Sequence, residues 1–449
     1  MLGFVNNWFA PKCNPIGIDF GSDCLRLAQV QWTGEDYKLI AAASADVPPH
    51  VRTDANARSN FFIETVKDLL AQAPFRGRQC VLALPAATMF VRHLRMPKLD
   101  DDAMKKALPW ELRGKLPIDP LHAVLRHVIA GEVYQDQDPK YEVIVLAAAR
   151  DRVNQLLGAA HKAKLDVIGM NVEPKAIIDC FSNVYRRKSD ETATSCYIDI
   201  GCTSSRAVIT HGSDMSFARV IPIGGDQFSR AVSEAMKISL QDAKILRVKL
   251  ASQQTTPLEE IKTKIAVAPE NATPARRATD QSPDNSFALL DSAMRKAEQN
   301  AAPAPAPAEA PVAPPAVEVE STPVEADQAQ RAMDACQEPL RRLVEELNLS
   351  RRYYESTFPE KPIDRLIFIG GEARQRALCQ QVAREMGLAA QIGDPLVRMG
   401  RISDISVESG IDRRQPQPSW AVAIGLSMGP KNGAGDNTSS NEMIEQAAK

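Results

Sequence analysis

One short pattern, written twice, constrains this chain more than any other. Ile18-Asp19-Phe20-Gly21-Ser22-Asp23-Cys24-Leu25-Arg26 returns 180 positions later as Ile198-Asp199-Ile200-Gly201-Cys202-Thr203-Ser204-Ser205-Arg206. Each copy delivers an Asp from an apolar strand, places a Gly two residues on, continues with small polar residues and sets an Arg seven positions past the Asp. Such a sequence predicts a hairpin. Gly permits positive φ at the turn and lets backbone N–H groups approach an anion, while hydroxyl side chains add donors. The Asp at the strand end suits Mg2+, held directly or through water beside the same anion. A single D-x-G-[ST] is as often an ordinary turn, but the pair predicts two related lobes gripping a polyphosphate from both sides.

At 449 residues the chain is long enough for two or three cores. Lys+Arg 54 against Asp+Glu 56 gives no global basic field, so nucleic acid is not an expected partner. The eight Cys, at 13, 24, 80, 180, 196, 202, 336 and 379, lack C-x-x-C spacing and read as reduced thiols, not metal ligands or disulfides. No apolar run reaches the roughly 18–20 residues of a membrane span. Residues 1–10 carry Leu2, Phe4, Val5, Trp8 and Phe9 with almost no charge. They lack the basic start of a secretory leader and are expected to cap the first lobe, with a short membrane-touching or partner-docking helix as the other reading.

In order, residues 1–14 form an N-terminal extension and 15–88 open a lobe with three strands, a helix over 60–73 and a strand over 79–84. Residues 89–165 read as an inserted α+β unit: strands at 90–96, 122–130 and 141–149, and helices over 100–116, N-capped by Asp100, and 151–164. The first lobe resumes over 166–195. A second lobe follows over 196–250, with helices at 228–236 and 240–250. Residues 251–327 turn polar, then almost purely Ala/Pro, then acidic, and are expected to be a disordered, semi-extended insertion with polyproline II character. The second lobe is expected to resume over 328–410, with one long helix at 328–354, a strand at 363–369 and a helix at 372–386. The segment 411–430 closes the first lobe with a small-residue helix over 419–428, and 431–449 is a polar tail.

With those residues in hand the chain resembles the PilM-type proteins of type IV pilus assembly, within the actin-like ATPase superfamily. The resemblance spans Pro15 to Met428 and rests on both hairpins and on Leu108-Pro109-Trp110-Glu111-Leu112-Arg113-Gly114-Lys115-Leu116-Pro117-Ile118. It rests equally on Ala147-Ala148-Ala149-Arg150, Val172-Glu173-Pro174 and Ile221-Pro222-Ile223-Gly224-Gly225-Asp226-Gln227. It implies an α/β, actin-like (ribonuclease-H-like) two-lobe fold with an FtsA-like inserted subdomain 1C. It also implies ATP and Mg2+ as cofactors, at most slow hydrolysis, and a cytoplasmic scaffold held at the inner membrane by its partners. The partner would be the N-terminal cytoplasmic peptide of a PilN-type membrane protein, with Trp110, Leu112 and Leu116 as candidate groove residues, although core packing is the better reading of these. Pilus motor ATPases, the membrane platform and self-association are further expected contacts.

Residue by residue, the resemblance puts Asp19, Gly21, Ser22 and Arg26 in the first phosphate loop and Asp199, Gly201, Thr203 and Ser204 in the second, with Asp19 and Asp199 toward the metal. Glu173 falls at a water-positioning site. Gly224 and Gly225 match a phosphate-side loop, Gly370 and Gly371 the adenosine motif, and Arg374 an Arg that stacks on the base. Lys244 stands where relatives often place Glu, Arg247 keeps the following cation, and Glu372 replaces a small residue. Lys244 and Glu372 are therefore expected to exchange the usual charge pattern and still close over the nucleoside. An FtsA-like filament former and a metabolite kinase of the same superfamily are the competing readings. The tail at 437–449 is too polar for the membrane helix of the first, and no motif supplies the second substrate site of the other.

Overall fold

The computed structural model describes residues 13–135, 137–253, 323–401, 411 and 413–429. The expectations for 1–12, most of the Pro/Ala-rich insertion and the tail lie outside them. All of these but 323–326 belong to one compact unit formed by 1–261 and 327–449. The chain runs β1 (Ile16–Phe20), β2 (Cys24–Trp32), β3 (Tyr37–Asp46), α1 (Ala55–Gln72), β4 (Gln79–Leu84), β5 (Met89–Pro97), α2 (Asp101–Glu111), β6 (Ala123–Gln135) and β7 (Asp138–Ala149). It continues with α3 (Arg150–Lys162), β8 (Asp166–Val172), α4 (Glu173–Val184), β9 (Thr194–Ile200), β10 (Ser205–His211), β11 (Asp214–Ile221), α5 (Gly225–Met236) and α6 (Leu240–Gln253). After the insertion come α7 (Pro323–Ala335), α8 (Gln337–Thr357), β12 (Arg365–Ile369), α9 (Arg376–Met386), β13 (Ala390–Ile392), β14 (Gly400–Arg401) and α10 (Ala421–Met428).

The sequence duplication is a duplication of fold. One sheet runs β14-β3-β2-β1-β4-β8 and the other β11-β10-β9-β12-β13. In each, the motif strand pairs antiparallel with the strand after its turn and parallel with a strand on its other side. The registers agree to the residue: Asp19 faces Arg26 and Asp199 faces Arg206. Both motif strands are buried along their whole length, which explains their apolar runs.

Helices α4 and α10 cross where the halves meet, and small residues set the distance of α10 from α4 and from β1. A Cβ on Gly425 would lie 1.9 Å from Ala176 O, and one on Gly17 2.0 Å from Ala423 O. Every residue of α10 is buried, and its Val, Ile, Leu and Met side chains each contribute about 1.5–3 kcal/mol by leaving water. Ser427 ties α10 to the first sheet, donating to Pro15 O at 2.7 Å and accepting from Val30 N at 2.9 Å.

The inserted residues form a third sheet, β5-β7-β6, covered by α2, whose Met104 and Leu108, with Leu112 just past its end, pack on Leu94, Met96, Val143 and Val145. Asp100 caps α2, accepting from Ala103 N at 2.8 Å. This sheet is fastened to the second half through one wholly buried carboxylate. Glu142 accepts from Tyr353 Oη at 2.7 Å and lies 3.1 Å from His93 Nδ1, while His93 Nε2 reaches Ala218 O at 3.1 Å.

Four expectations are corrected. The helix expected over 328–354 is two, because Pro339 has no N–H for Ala335 and its ring clashes with that carbonyl. The helix expected over 100–116 stops at Glu111, with Pro109 in its last turn and Gly114 at φ +72° just beyond. The helix expected over 372–386 begins as a 3-10 turn at Glu372–Arg374 and becomes α only from Arg376. Finally, Gly400–Arg401, expected in the second lobe, pairs with β3 on the edge of the first sheet.

Candidate nucleotide cleft

The two motif turns meet across the gap between the sheets. Gly21 N donates to Cys24 O at 3.0 Å, and Gly201 N donates to Ser204 O at 3.1 Å, so both turns close alike. Their hydroxyls touch: Ser22 Oγ and Thr203 Oγ1 are 2.8 Å apart. Around them opens a cleft of about 670 Å3 lined by Asp19, Gly21, Ser22, Arg26, Asp199, Gly201, Thr203 and Ser204, and by Glu173, Lys244, Gly370, Gly371, Glu372 and Arg374. Most of the expected site residues thus share one cavity.

Its floor is a cluster of buried charge. Asp19, Glu173 and Asp199 are 7, 2 and 5 % exposed. Arg206, from the second hairpin, donates through Nη1 to Asp199 Oδ2 at 2.8 Å and pairs through Nε with Glu173. Burial pushes the Asp19 carboxyl up to about 6 against the opposing pull of Arg26 and Arg206. Burial likewise pushes Glu173 up to about 8, again against Arg206, with the neighbouring Asp19 and Asp199 adding to the rise. These carboxylates are short of cation. Among the described residues no group of three or more His, Cys, Asp or Glu could hold a metal alone. The pair Asp19 and Asp199 nevertheless fits Mg2+, which takes one or two carboxylates and completes its shell with phosphate oxygens and water.

Gly370, at φ +89°, brings the β12 turn against Asp199; a Cβ there would sit 2.3 Å from Asp199 Oδ1. Gln417 holds Arg374 through a 3.1 Å hydrogen bond, and burial with the Arg26 charge depresses the Arg374 pKa. On the opposite wall Leu240, Lys244 and Val248 follow one another at helical spacing along α6, and Lys244 and Val248 line the cleft. Lys244 Nζ reaches Asp23 Oδ2 of the first hairpin at 3.5 Å. Glu372 instead accepts from Arg247 Nη2 at 2.6 Å. Lys244 and Glu372 therefore answer to different partners, one across the cleft and one behind it.

Three expected residues stand behind the cleft wall. Arg247 is buried, donating to Gly225 O and Ser229 Oγ, each at 2.8 Å, as well as to Glu372. Gly224 and Gly225 buttress the second turn: Gly225 N donates to Gly201 O at 2.9 Å, and a Cβ on Gly224 would lie 2.6 Å from the same oxygen. They support the loop from outside. The cleft adds Arg206, marked in the sequence by its place seven positions past Asp199, and Arg376, Gln415 and Ser419, which no motif announces.

The family model of the type IV pilus assembly protein PilM matches residues 17–256, more than half of the chain. The chain belongs to the PilM family. The model of the cell division protein FtsA matches residues 196–425, from within β9 into the first half of α10. Among solved structures, a PilM-PilN type IV pilus biogenesis complex matches with a TM-score of 0.64 at 20 % identity, covering 93 % of this chain and 98 % of that one. The ethanolamine utilization protein EutJ from Carboxydothermus hydrogenoformans matches with a TM-score of 0.45 at 11 % identity, covering 94 % and 91 %. The fold is the actin-like two-lobe fold.

In the stretch 108–118 around the end of α2, the three candidate groove residues separate. Leu112 is core, fully buried beneath the third sheet, and Leu116 is half-buried against the same core. Trp110 stands 61 % exposed, with the Arg113 guanidinium stacked 4.0 Å from its ring centroid. Among the described residues no helix is long and apolar enough to cross a membrane, and none of the eight cysteines forms a disulfide.

Proposed function

We propose that this PilM-family protein is an ATP-binding scaffold of a type IV pilus or related secretion machine, working at the cytoplasmic side of the inner membrane. It would capture the N-terminal cytoplasmic peptide of a PilN-type membrane protein. The observation that carries the reading is the pair of matched hairpins whose tips meet over a cleft large enough for a nucleotide. Asp19 and Asp199 would hold Mg2+, which supplies charge neutralisation at the phosphates. Backbone N–H groups and hydroxyls of Ser22, Thr203 and Ser204 would hold the phosphates, Arg26 would add positive charge, and Arg374 and Lys244 would flank the nucleoside.

Slow turnover is the expectation. In-line attack on a phosphoryl group needs a water oriented by a free acceptor. Glu173, the residue in that role by resemblance, is engaged by Arg206, which supports a clamp that binds more than it cleaves. Binding would then act by linkage: a nucleotide that prefers the closed halves stabilises whatever the closed form presents. The Glu142 joint between the third sheet and the second half gives that preference a route to the inserted unit.

Trp110 is the large apolar side chain of the 108–118 stretch that faces solvent, and it would sit at the peptide surface. Titrating the N-terminal peptide of the cognate PilN-type protein by calorimetry tests this. Saturable binding that tightens with Mg·ATP and weakens in Trp110→Ala is expected; absence of binding in both nucleotide states overturns the scaffold reading. The FtsA match favours filament formation as a second reading, and sedimentation with Mg·ATP decides it.

A further inference from the structure

On the other side of the hairpin tips lies a second cavity of about 650 Å3. It shares Ser22, Thr203, Glu173 and Arg206 with the nucleotide cleft, and is otherwise walled by α1, α3 and the start of α5 and α6. The Ser22–Thr203 hydrogen bond stands between the two spaces. Four further arginines, Arg52, Arg58, Arg152 and Arg230, line this chamber, against the carboxylates of Asp226 and of the already paired Glu173.

Little in the chain neutralises them. Arg52 comes no nearer to Asp226 than 3.9 Å. Arg58 donates to Gly21 O at 3.1 Å and lies over the Phe20 ring, and Arg152 donates to Gln155. Neither has a carboxylate partner among the described residues, and Arg230 makes no ion pair among them. Burial and the neighbouring Arg52 charge also depress the Arg58 pKa, as expected where positive charge gathers uncompensated. Apolar walls of Phe62, Leu84 and Leu156 limit screening.

We propose that this chamber is a second anion site, binding a phosphate dianion between the half-buried Arg52 and Arg58 and the exposed Arg152 and Arg230. The proposal goes beyond the nucleotide reading and does not depend on it, because the arginines belong to the chamber and not to the cleft. Two sources supply the same chemistry: free phosphate from solution, and the terminal phosphate of a nucleotide cleaved on the other side of the tips.

Equilibrium dialysis of the full-length protein against radiolabelled inorganic phosphate tests it, at constant ionic strength, with and without Mg·ADP. One saturable site is expected. Arg52→Gln and Arg230→Gln should each weaken it about 10- to 100-fold, the loss of one charge-assisted hydrogen bond. Lys361→Gln, an equal charge change elsewhere on the surface, should not, and unfolding midpoints of Arg230→Gln and Lys361→Gln should match wild type. No saturable binding, or equal weakening by Lys361→Gln, overturns the site. After incubation with terminally labelled ATP and removal of free ligand, bound label recovered as inorganic phosphate identifies the nucleotide as source, and label recovered only as ATP leaves the solution as the source. Failure of ATP binding with phosphate binding intact would sink the nucleotide reading alone.

Discussion

Replacing Arg206 with Gln tests the electrostatic design of the cleft floor. The guanidinium lies against two carboxylates that are 5 and 2 % exposed, with Asp19 beside them at 7 %. Breaking a buried pair by removing one partner leaves uncompensated charge and costs about 3–5 kcal/mol. The expected loss of unfolding free energy in the ligand-free protein is therefore about 3–5 kcal/mol near pH 8. The pH dependence gives the sign. Asp19 and Glu173 have folded pKa values raised above their ordinary ones, so their protonation favours the fold, and stability falls as pH rises through about 6 and then about 8. Arg206 opposes both rises, so its removal raises them further. The deficit should be largest above pH 8 and shrink below pH 6, where neutral carboxyls need no counter-charge. Urea unfolding at pH 5.5 and pH 8.5, followed by intrinsic fluorescence, measures it. A deficit under about 1 kcal/mol at pH 8.5, or one that grows on acidification, would refute the reasoning.

Three further outcomes follow from the packing and the charges. Gly425→Val should prevent soluble folding or lower the thermal midpoint by more than 10 °C, roughly what a loss of several kcal/mol gives in a large domain, since even a Cβ meets Ala176 O; an unchanged midpoint in a thermal scan would count against close contact of α4 and α10. Leu112→Ala should cost about 2–5 kcal/mol in denaturant unfolding, and Trp110→Ala under about 1 kcal/mol, because one side chain is core and the other exposed. Glu173→Gln should make the ligand-free protein more stable at pH 8.5 than wild type and flatten its decline between pH 6 and pH 8.5, a comparison that thermal melts at several pH values make directly.

The hairpins were legible in the sequence because their chemistry is local: an Asp, a Gly, hydroxyls and an Arg at fixed spacing, with the partner strand directly after the turn. The parallel neighbours of β1 and β9 come from far along the chain, yet their apolar runs made them visible as buried strands. Long-range pairing with little pattern was not legible. Two residues, Gly400 and Arg401, join the first sheet through backbone bonds that no periodicity announces. Pro339 was readable and carried more weight than the apolar face of Leu340, Leu343 and Leu347 suggested, splitting one helix into two. At the site, motif spacing brought out the residues that face the cleft. It did not separate them from Gly224, Gly225 and Arg247, which brace the same loops from behind, since both roles call for small residues and cations near a turn. The chamber arginines come from four separate segments, and only the fold gathers them.

The most direct measurement of the central reading is nucleotide occupancy and phosphate release on one purified sample with Mg·ATP, comparing wild type with Asp19→Ala and Asp199→Ala. Tight retention of ATP with little release, lost in both variants, is the predicted result. No retention by wild type, or undiminished retention by both variants, would contradict a clamp built from the two hairpins.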